Sequence, residues 1–83
     1  MEREKSISIT YFAVLRERRG LSSETIQTTC KTVEDLYIHL SQAHSLLFPL
    51  RLMRFSKEGQ FVKNDCAIQN GDEIGFLPPF AGG

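Results

Sequence analysis

The sequence predicts an α+β domain in which a mixed sheet of four to five strands packs on one main helix. Three observations carry this prediction: an alternating apolar and polar stretch near the start, one amphipathic helical pattern after it, and short apolar stretches separated by turn residues. The 83 residues suffice for one small domain. A single helix has to cover the apolar face of a sheet, and this sets the class.

The first strand is predicted over residues 6 to 12, where Ile7, Ile9 and Tyr11 share one face. Phe12 breaks the alternation, because it is a large apolar residue on the polar face. It either packs against the following loop or belongs to an exposed apolar patch of the kind that marks interfaces. Residues 23 to 30 predict a second strand, antiparallel to the first because the connection is short.

The main helix is predicted over residues 33 to 44. Thr32 is a suitable N-cap, with Asp35 three positions on, and the apolar residues then follow a 3.6-residue period. Between the first two strands, residues 13 to 18 predict one or two helical turns that end at Gly20. Arg16 in this segment is either a solvated residue or one that steers an acidic partner.

Three further strands are predicted over residues 50 to 56, 61 to 63 and 72 to 77, with a hairpin turn over residues 57 to 60. If the first and last strands are parallel neighbours at the centre, the arrangement is the ubiquitin-like β-grasp, and residues 1 to 77 form it. Phe12 and Leu77 then end close together on the outer face, where they would form one apolar patch with Phe80.

The composition excludes several classes of function. Ten basic and ten acidic residues give a formal net charge of zero, whereas nucleic-acid and anionic-membrane binding need a basic excess. No apolar run approaches the roughly 20 residues of a membrane span, and the charged first residues lack an apolar signal core. We therefore expect a cytoplasmic protein.

The spacing of cysteines and histidines does not predict a metal site. Cys30 and Cys66 are far apart, and His39 and His44 do not share a helix face. Cys30 is expected to fill a strand position as a small apolar residue.

Residues 78 to 83 predict an extended tail. Pro78 and Pro79 cannot donate to a sheet ladder, so the last strand ends before them, and their fixed φ favours an extended path of at most about 20 Å. Gly82 and Gly83 have no Cβ and would fit a narrow channel in another protein. No side chain near the end can do acid–base or nucleophilic work, so the carboxylate of Gly83 is the candidate reactive group.

The motifs resemble the small, sulfur-carrier subunit family of molybdopterin synthase. The ending GDEIGFLPPFAGG at residues 71 to 83 is similar to the family's ending, and YFAVLRE at 11 to 17 and TVEDL at 32 to 36 are similar to its earlier motifs. The chain departs from the family after the third strand, where it reads FSKEG instead of the frequent Val-Asn, so the register of residues 54 to 63 stays open.

The resemblance implies a sulfur carrier for molybdenum cofactor biosynthesis that is not an enzyme on its own. Gly83 would be adenylated by a ubiquitin-activating-type adenylyltransferase that uses ATP, and a persulfide donor would convert it to a thiocarboxylate. The tail of Pro78, Pro79, Phe80, Ala81 and Gly82 would thread into the large catalytic subunit. There the sulfur would reach cyclic pyranopterin monophosphate. No bound cofactor or metal is implied.

Three other interpretations remain open. A ubiquitin-like modifier would use the same activation and then join Gly83 to a lysine, and a sulfur carrier for thiamine or another pathway would share the fold and the Gly-Gly end. A plain β-grasp scaffold would have no tail chemistry, so removing Gly83 would change nothing. Phe12, Leu77 and Arg16 are the predicted partner interface. The sequence does not identify the sulfur donor or show whether the chain self-associates.

Overall fold

The computed structural model describes residues 3–79. Within them the chain forms β1 (Lys5–Tyr11), α1 (Val14–Arg19), β2 (Ser23–Thr28), α2 (Val33–His44), a 3-10 turn (Leu50–Leu52), β3 (Arg54–Lys57), β4 (Gln60–Val62) and β5 (Glu73–Leu77). No helix in this part of the chain is both long and apolar enough to cross a membrane.

The strands form one mixed sheet in the order β2-β1-β5-β3-β4. β1 and β5 are parallel at the centre, and β2, β3 and β4 each pair antiparallel with a neighbour. The crossover between the parallel strands contains α2, as a parallel connection requires. The predicted α+β class and the central parallel pair are confirmed.

The core lies between α2 and one face of the sheet, which we call the inner face. α2 contributes Val33, Leu36, Tyr37 and Leu40, and every second residue of the central strands points toward them. The ring of Phe76 lies at the middle of an aromatic cluster. Its centroid is 5.8 Å from Tyr11, 5.3 Å from Tyr37 and 5.6 Å from Phe55, and aromatic pairs at such distances attract beyond their buried area.

The main helix has the bounds that its sequence predicts. The Thr32 hydroxyl accepts a hydrogen bond from the Asp35 backbone N–H at 3.2 Å, which satisfies one of the unpaired donors of the first turn. At the other end Ser45 adopts a left-handed conformation with φ 53°, and its N–H donates to Ser41. The sequence signals for both α2 and the Gly20 end of α1 are confirmed.

The third strand is shorter than predicted. Residues 50 to 52 form a 3-10 turn after Pro49, and the strand begins at Arg54. Leu50 and Leu52 are out of phase with the buried Met53 and Phe55, so one strand could not bury both pairs. The turn absorbs this change of phase.

The hairpin between β3 and β4 fixes the register that the sequence left open. Glu58 and Gly59 have φ of 52° and 81°, and positive φ at both central residues is typical of a two-residue type I′ turn. Lys57 therefore pairs with Gln60, and Ser56 with Phe61.

The second strand is also shorter than predicted, and the expected position of Cys30 was wrong. β2 ends at Thr28, whose hydroxyl accepts from the Cys30 N–H at 3.1 Å, so the chain turns before the cysteine. Cys30 lies after the strand, half-buried against the core, and both it and Cys66 are free thiols.

A polar contact ties α1 to the first two strands. The Tyr11 hydroxyl donates to Glu24 Oε2 at 2.6 Å, and Arg19 donates from Nε at 2.9 Å and from Nη2 at 2.8 Å to the two carboxylate oxygens. Burial by itself would raise the pKa of the Glu24 carboxyl, but the hydrogen bonds from Arg19 and Tyr11 hold it below its usual 4.5. Burial, together with the Glu24 carboxylate, raises the pKa of the Tyr11 hydroxyl.

Replacing Glu24 with Gln is expected to reduce the acid sensitivity of the fold. Because the pKa of Glu24 is lower in the folded chain, the unfolded chain binds more protons below about pH 4.5, and stability falls as the pH drops through the folded value. Glu24→Gln should be less stable at neutral pH and lose less on acidification, as urea unfolding across this range would measure. Glu17→Gln, at an exposed position of α1, is the control. An unchanged acid response in Glu24→Gln would contradict the assignment.

Candidate docking site at the root of the tail

The tail leaves the domain from its central strand. β5 has hydrogen-bonded neighbours on both sides and ends at Leu77. Pro78 and Pro79 follow outside any strand and are half-buried. The predicted tail residues Phe80, Ala81, Gly82 and Gly83 lie outside the described residues, so their roles stay predictions.

Phe12 and Leu77 lie side by side on the outer face of the sheet, above Gly75. A Cβ added to Gly75 would lie 3.1 Å from Phe12 Cε2 and 3.5 Å from Leu77 Cδ1, and it would clash with the Ser56 hydroxyl. Because Gly75 has no side chain, the side chains of Phe12 and Leu77 can pack directly over the strand at this position. Phe12 is 37% exposed and Leu77 is half-buried, so both present apolar surface beside the tail.

This surface continues into a groove of about 920 Å³, which we call the tail-root groove. Its lining is mainly apolar and includes the two tail prolines. The residues that line it are Phe12, Ala13, Arg51, Leu52, Met53, Arg54, Phe55, Phe61, Val62, Asn64, Leu77, Pro78 and Pro79.

Arg16 is the one residue of the predicted interface that the groove does not include. It is exposed on α1, and the described lining instead contains Ala13, at the start of that helix. The structure therefore brings Phe12 and Leu77 together and leaves Arg16 outside their groove. The role of all three in partner binding stays a prediction.

Phe61, Arg51 and Arg54 are candidate site residues that the sequence reasoning missed. Phe61 pairs with Ser56 and is 71% exposed, and Arg54 pairs with Leu77. Cross-strand partners share a face of the sheet, so both lie on the outer face with Phe12. The Glu58-Gly59 turn signal would have located Phe61, had its two-residue length been recognised.

The groove offers binding surface without acid–base groups. Among its described lining residues there is no Asp, Glu, His, Lys or Cys side chain. Within residues 3–79, no three His, Cys, Asp or Glu side chains are grouped so as to hold a metal ion. The described part of the site can dock another protein and position the tail.

A central parallel strand pair, one covering helix and a proline-led tail at the end of the last strand define a ubiquitin-like β-grasp protein. Residues 9–83 match the model of the ThiS family, and the chain belongs to that family.

Two similar proteins are molybdopterin synthase sulfur carrier subunits. The chain is 30% identical over 81 residues to the molybdopterin synthase sulfur carrier subunit of Chlamydomonas reinhardtii, covering 93% of this chain and 98% of the relative. It is 28% identical over 80 residues to the subunit of the same name from Haemophilus influenzae, covering 93% and 99%. The resemblance found in the sequence motifs is confirmed.

Solved structures place the fold in the same class. SAMP1 from Haloferax volcanii is 26% identical, with a TM-score of 0.75 over 94% of this chain and 99% of that chain. Caldiarchaeum subterraneum ubiquitin is 16% identical, with a TM-score of 0.64 over 98% and 100%. At this lower identity the likeness to ubiquitin shows the fold alone.

Proposed function

We propose that this chain is a sulfur carrier in molybdenum cofactor biosynthesis, and that the carboxylate of Gly83 carries the sulfur. The observation that supports it most is the match to sulfur carrier subunits of molybdopterin synthase along nearly the whole chain. The Pro-Pro tail follows the central strand and lies beside an apolar groove. This position suits a segment that another protein binds.

The proposed chemistry has two stages. A carboxylate is a poor electrophile, so an adenylyltransferase would first join Gly83 to the α-phosphate of ATP and release pyrophosphate. The terminal sulfur of a persulfide donor would then attack the carbonyl, with AMP as the leaving group. A thiol would cleave the resulting acyl disulfide and leave Gly83 as a thiocarboxylate.

The second stage would take place within the large subunit of the synthase. The tail would enter that protein, and the thiocarboxylate sulfur would attack cyclic pyranopterin monophosphate. A dithiolene needs two sulfurs, so two charged carriers would be consumed per product. Because the described groove has no acid–base side chain, we assign proton transfer to the partner and regard this chain as a co-substrate.

The test is the intact mass of the protein after incubation with ATP, its activating enzyme and a persulfide donor. We expect a mass increase equal to one oxygen-for-sulfur exchange, mapped to the C-terminal peptide and absent when ATP is omitted. An unchanged mass, with the enzyme active on another carrier, would refute the proposal.

The likeness to SAMP1, the small archaeal modifier protein 1, favours one second candidate. A modifier would join its terminal glycine to lysines of other proteins. Digestion of cell protein followed by mass spectrometry would show the tail remnant on lysine side chains in that case. Complementation of a thiamine auxotroph would separately detect a carrier for that pathway.

Charging the surface beside the tail is expected to weaken binding of the large subunit. Phe12→Asp should raise the Kd about 30-fold, since loss of a central apolar contact at an interface costs about 2 kcal/mol. Calorimetric titration would measure it. Leu77→Asp should act in the same direction.

Leu47→Asp is the control for these variants, because Leu47 is 70% exposed and does not line the groove. Its Kd should stay within about twofold of the unsubstituted chain. Wild-type affinity in Phe12→Asp and Leu77→Asp would contradict the predicted interface.

A further inference from the structure

The lining of the tail-root groove contains two basic side chains. Arg51, in the 3-10 turn, and Arg54, at the start of β3, both line it and are both exposed. None of the described lining residues is acidic. The chain as a whole has no net charge, so this local excess of positive charge is a property of the groove.

The two guanidinium groups have no partner within residues 3–79. Other cationic side chains of the described chain are paired, such as Arg19 with Glu24 and Lys57 with Asp72. The described residues include no such partner for the side chain of Arg51 or Arg54. An arginine presents a rigid fork of donors that matches a carboxylate in two-point contact. Two unpaired forks in one groove therefore provide sites for two carboxylates.

Apolar groups lie beside these charges. Leu52, between the two arginines in sequence, is 41% exposed, and Phe61 on the neighbouring strand is 71% exposed. Leu77 is the direct cross-strand partner of Arg54. A ligand that satisfies the whole groove thus needs apolar as well as acidic groups, which a small inorganic anion lacks.

We propose that the tail-root groove binds an extended peptide segment in which an apolar side chain lies between two acidic ones. In an extended chain, residues i, i+2 and i+4 point to the same side, so the matching pattern is acidic-x-apolar-x-acidic. We assign this peptide segment to the protein that receives the tail. That assignment rests on the proposed function, whereas the binding of such a peptide by the groove does not. Arg51 and Arg54 would then select partners by charge before the tail engages.

The test is an NMR titration of the isotope-labelled full chain with three capped peptides. They are Glu-Ser-Leu-Ser-Glu, Gln-Ser-Leu-Ser-Gln and Lys-Ser-Leu-Ser-Lys. We expect saturable shift changes with the acidic peptide, centred on the backbone amides of Arg51, Arg54, Phe61 and Leu77. The neutral peptide should bind at least about tenfold more weakly, a difference of about 1.4 kcal/mol.

Two variants and one charge-matched control sharpen the test. Arg54→Gln should weaken the acidic peptide about fivefold or more, and Arg51→Gln/Arg54→Gln should abolish its preference over the neutral peptide. Arg3→Gln removes one positive charge from an exposed position near the opposite end of β1 and should leave the affinity unchanged.

Four results would overturn the proposal. Equal binding of the three peptides would show apolar contact alone, and the same shifts with inorganic phosphate would show a simple anion site. If the acidic peptide bound only after removal of residues 80–83, the chain's own tail would be the ligand of the groove. No saturable shift at the highest soluble peptide concentration would exclude the site. Because none of these readouts involves Gly83 chemistry, failure here is distinguishable from failure of the sulfur-carrier proposal.

Discussion

Removing Gly82 and Gly83 is expected to abolish sulfur transfer and leave the free energy of unfolding unchanged. In the proposed mechanism, the carboxylate would be displaced from the position that the partner's catalytic groups reach, and a misplacement of even about 1 Å can cost about 100-fold in rate. The buried core of the described chain ends at Phe76, so the deletion removes no residue of this described core. Thiocarboxylate formation by intact mass and unfolding in urea would measure the two effects separately.

A one-residue extension is the matched control for this deletion. Adding Ala after Gly83 keeps every residue of the chain and moves only the carboxylate. We expect it to lose sulfur transfer as completely as the deletion does. Substantial transfer by either variant would mean that sulfur transfer does not require the carboxylate at the position of Gly83.

Replacing Phe76 with Ala is expected to have the largest effect on stability. Its ring contacts Tyr11, Tyr37 and Phe55 at the middle of the core. Truncating a buried Phe to Ala typically costs 3–5 kcal/mol, roughly, through lost burial and the cavity left behind. Since small domains have total stabilities of about 5–15 kcal/mol, this variant should unfold at far lower urea concentration, or be partly unfolded without urea.

Phe61→Ala removes the same side chain from the outer face, where it is 71% exposed. Its stability should change by no more than about 0.5 kcal/mol. The difference between the two Phe→Ala variants measures what the core position contributes. Similar losses in both would contradict the assignment of Phe76 to the core and Phe61 to the surface.

The elements that the sequence predicted well are those with a strong local signal. α2 has a capping threonine, an unbroken helical period and a polar C-terminal residue, and its bounds were predicted correctly. The adjacency of Phe12 and Leu77 followed from two facts, their places in the alternation and the parallel pairing of β1 with β5. Neither fact alone would have predicted that Phe12 and Leu77 are adjacent.

The features that escaped prediction depend on phase and register. Residues 50 to 55 mix apolar side chains with two arginines. Their sequence does not reveal where the apolar period changes, and the 3-10 turn at Leu50–Leu52 is that change. Phe61 and Arg54 could be assigned to a face only after the length of the hairpin turn was known. The close approach over Gly75 is invisible in sequence, because it involves Ser56 of β3 and Phe12, which directly follows β1.

The central position of β5 has a mechanical consequence for a protein that is gripped by its tail. The ladders of β5 with β1 and β3 contain four residue pairs each, and we consider a pull on the tail that is directed along β5. Force in this direction loads both ladders in shear, so all the pairs resist together. An edge strand pulled outward would instead open one pair at a time. In the proposed function, a partner that pulls on the tail therefore leaves the domain folded.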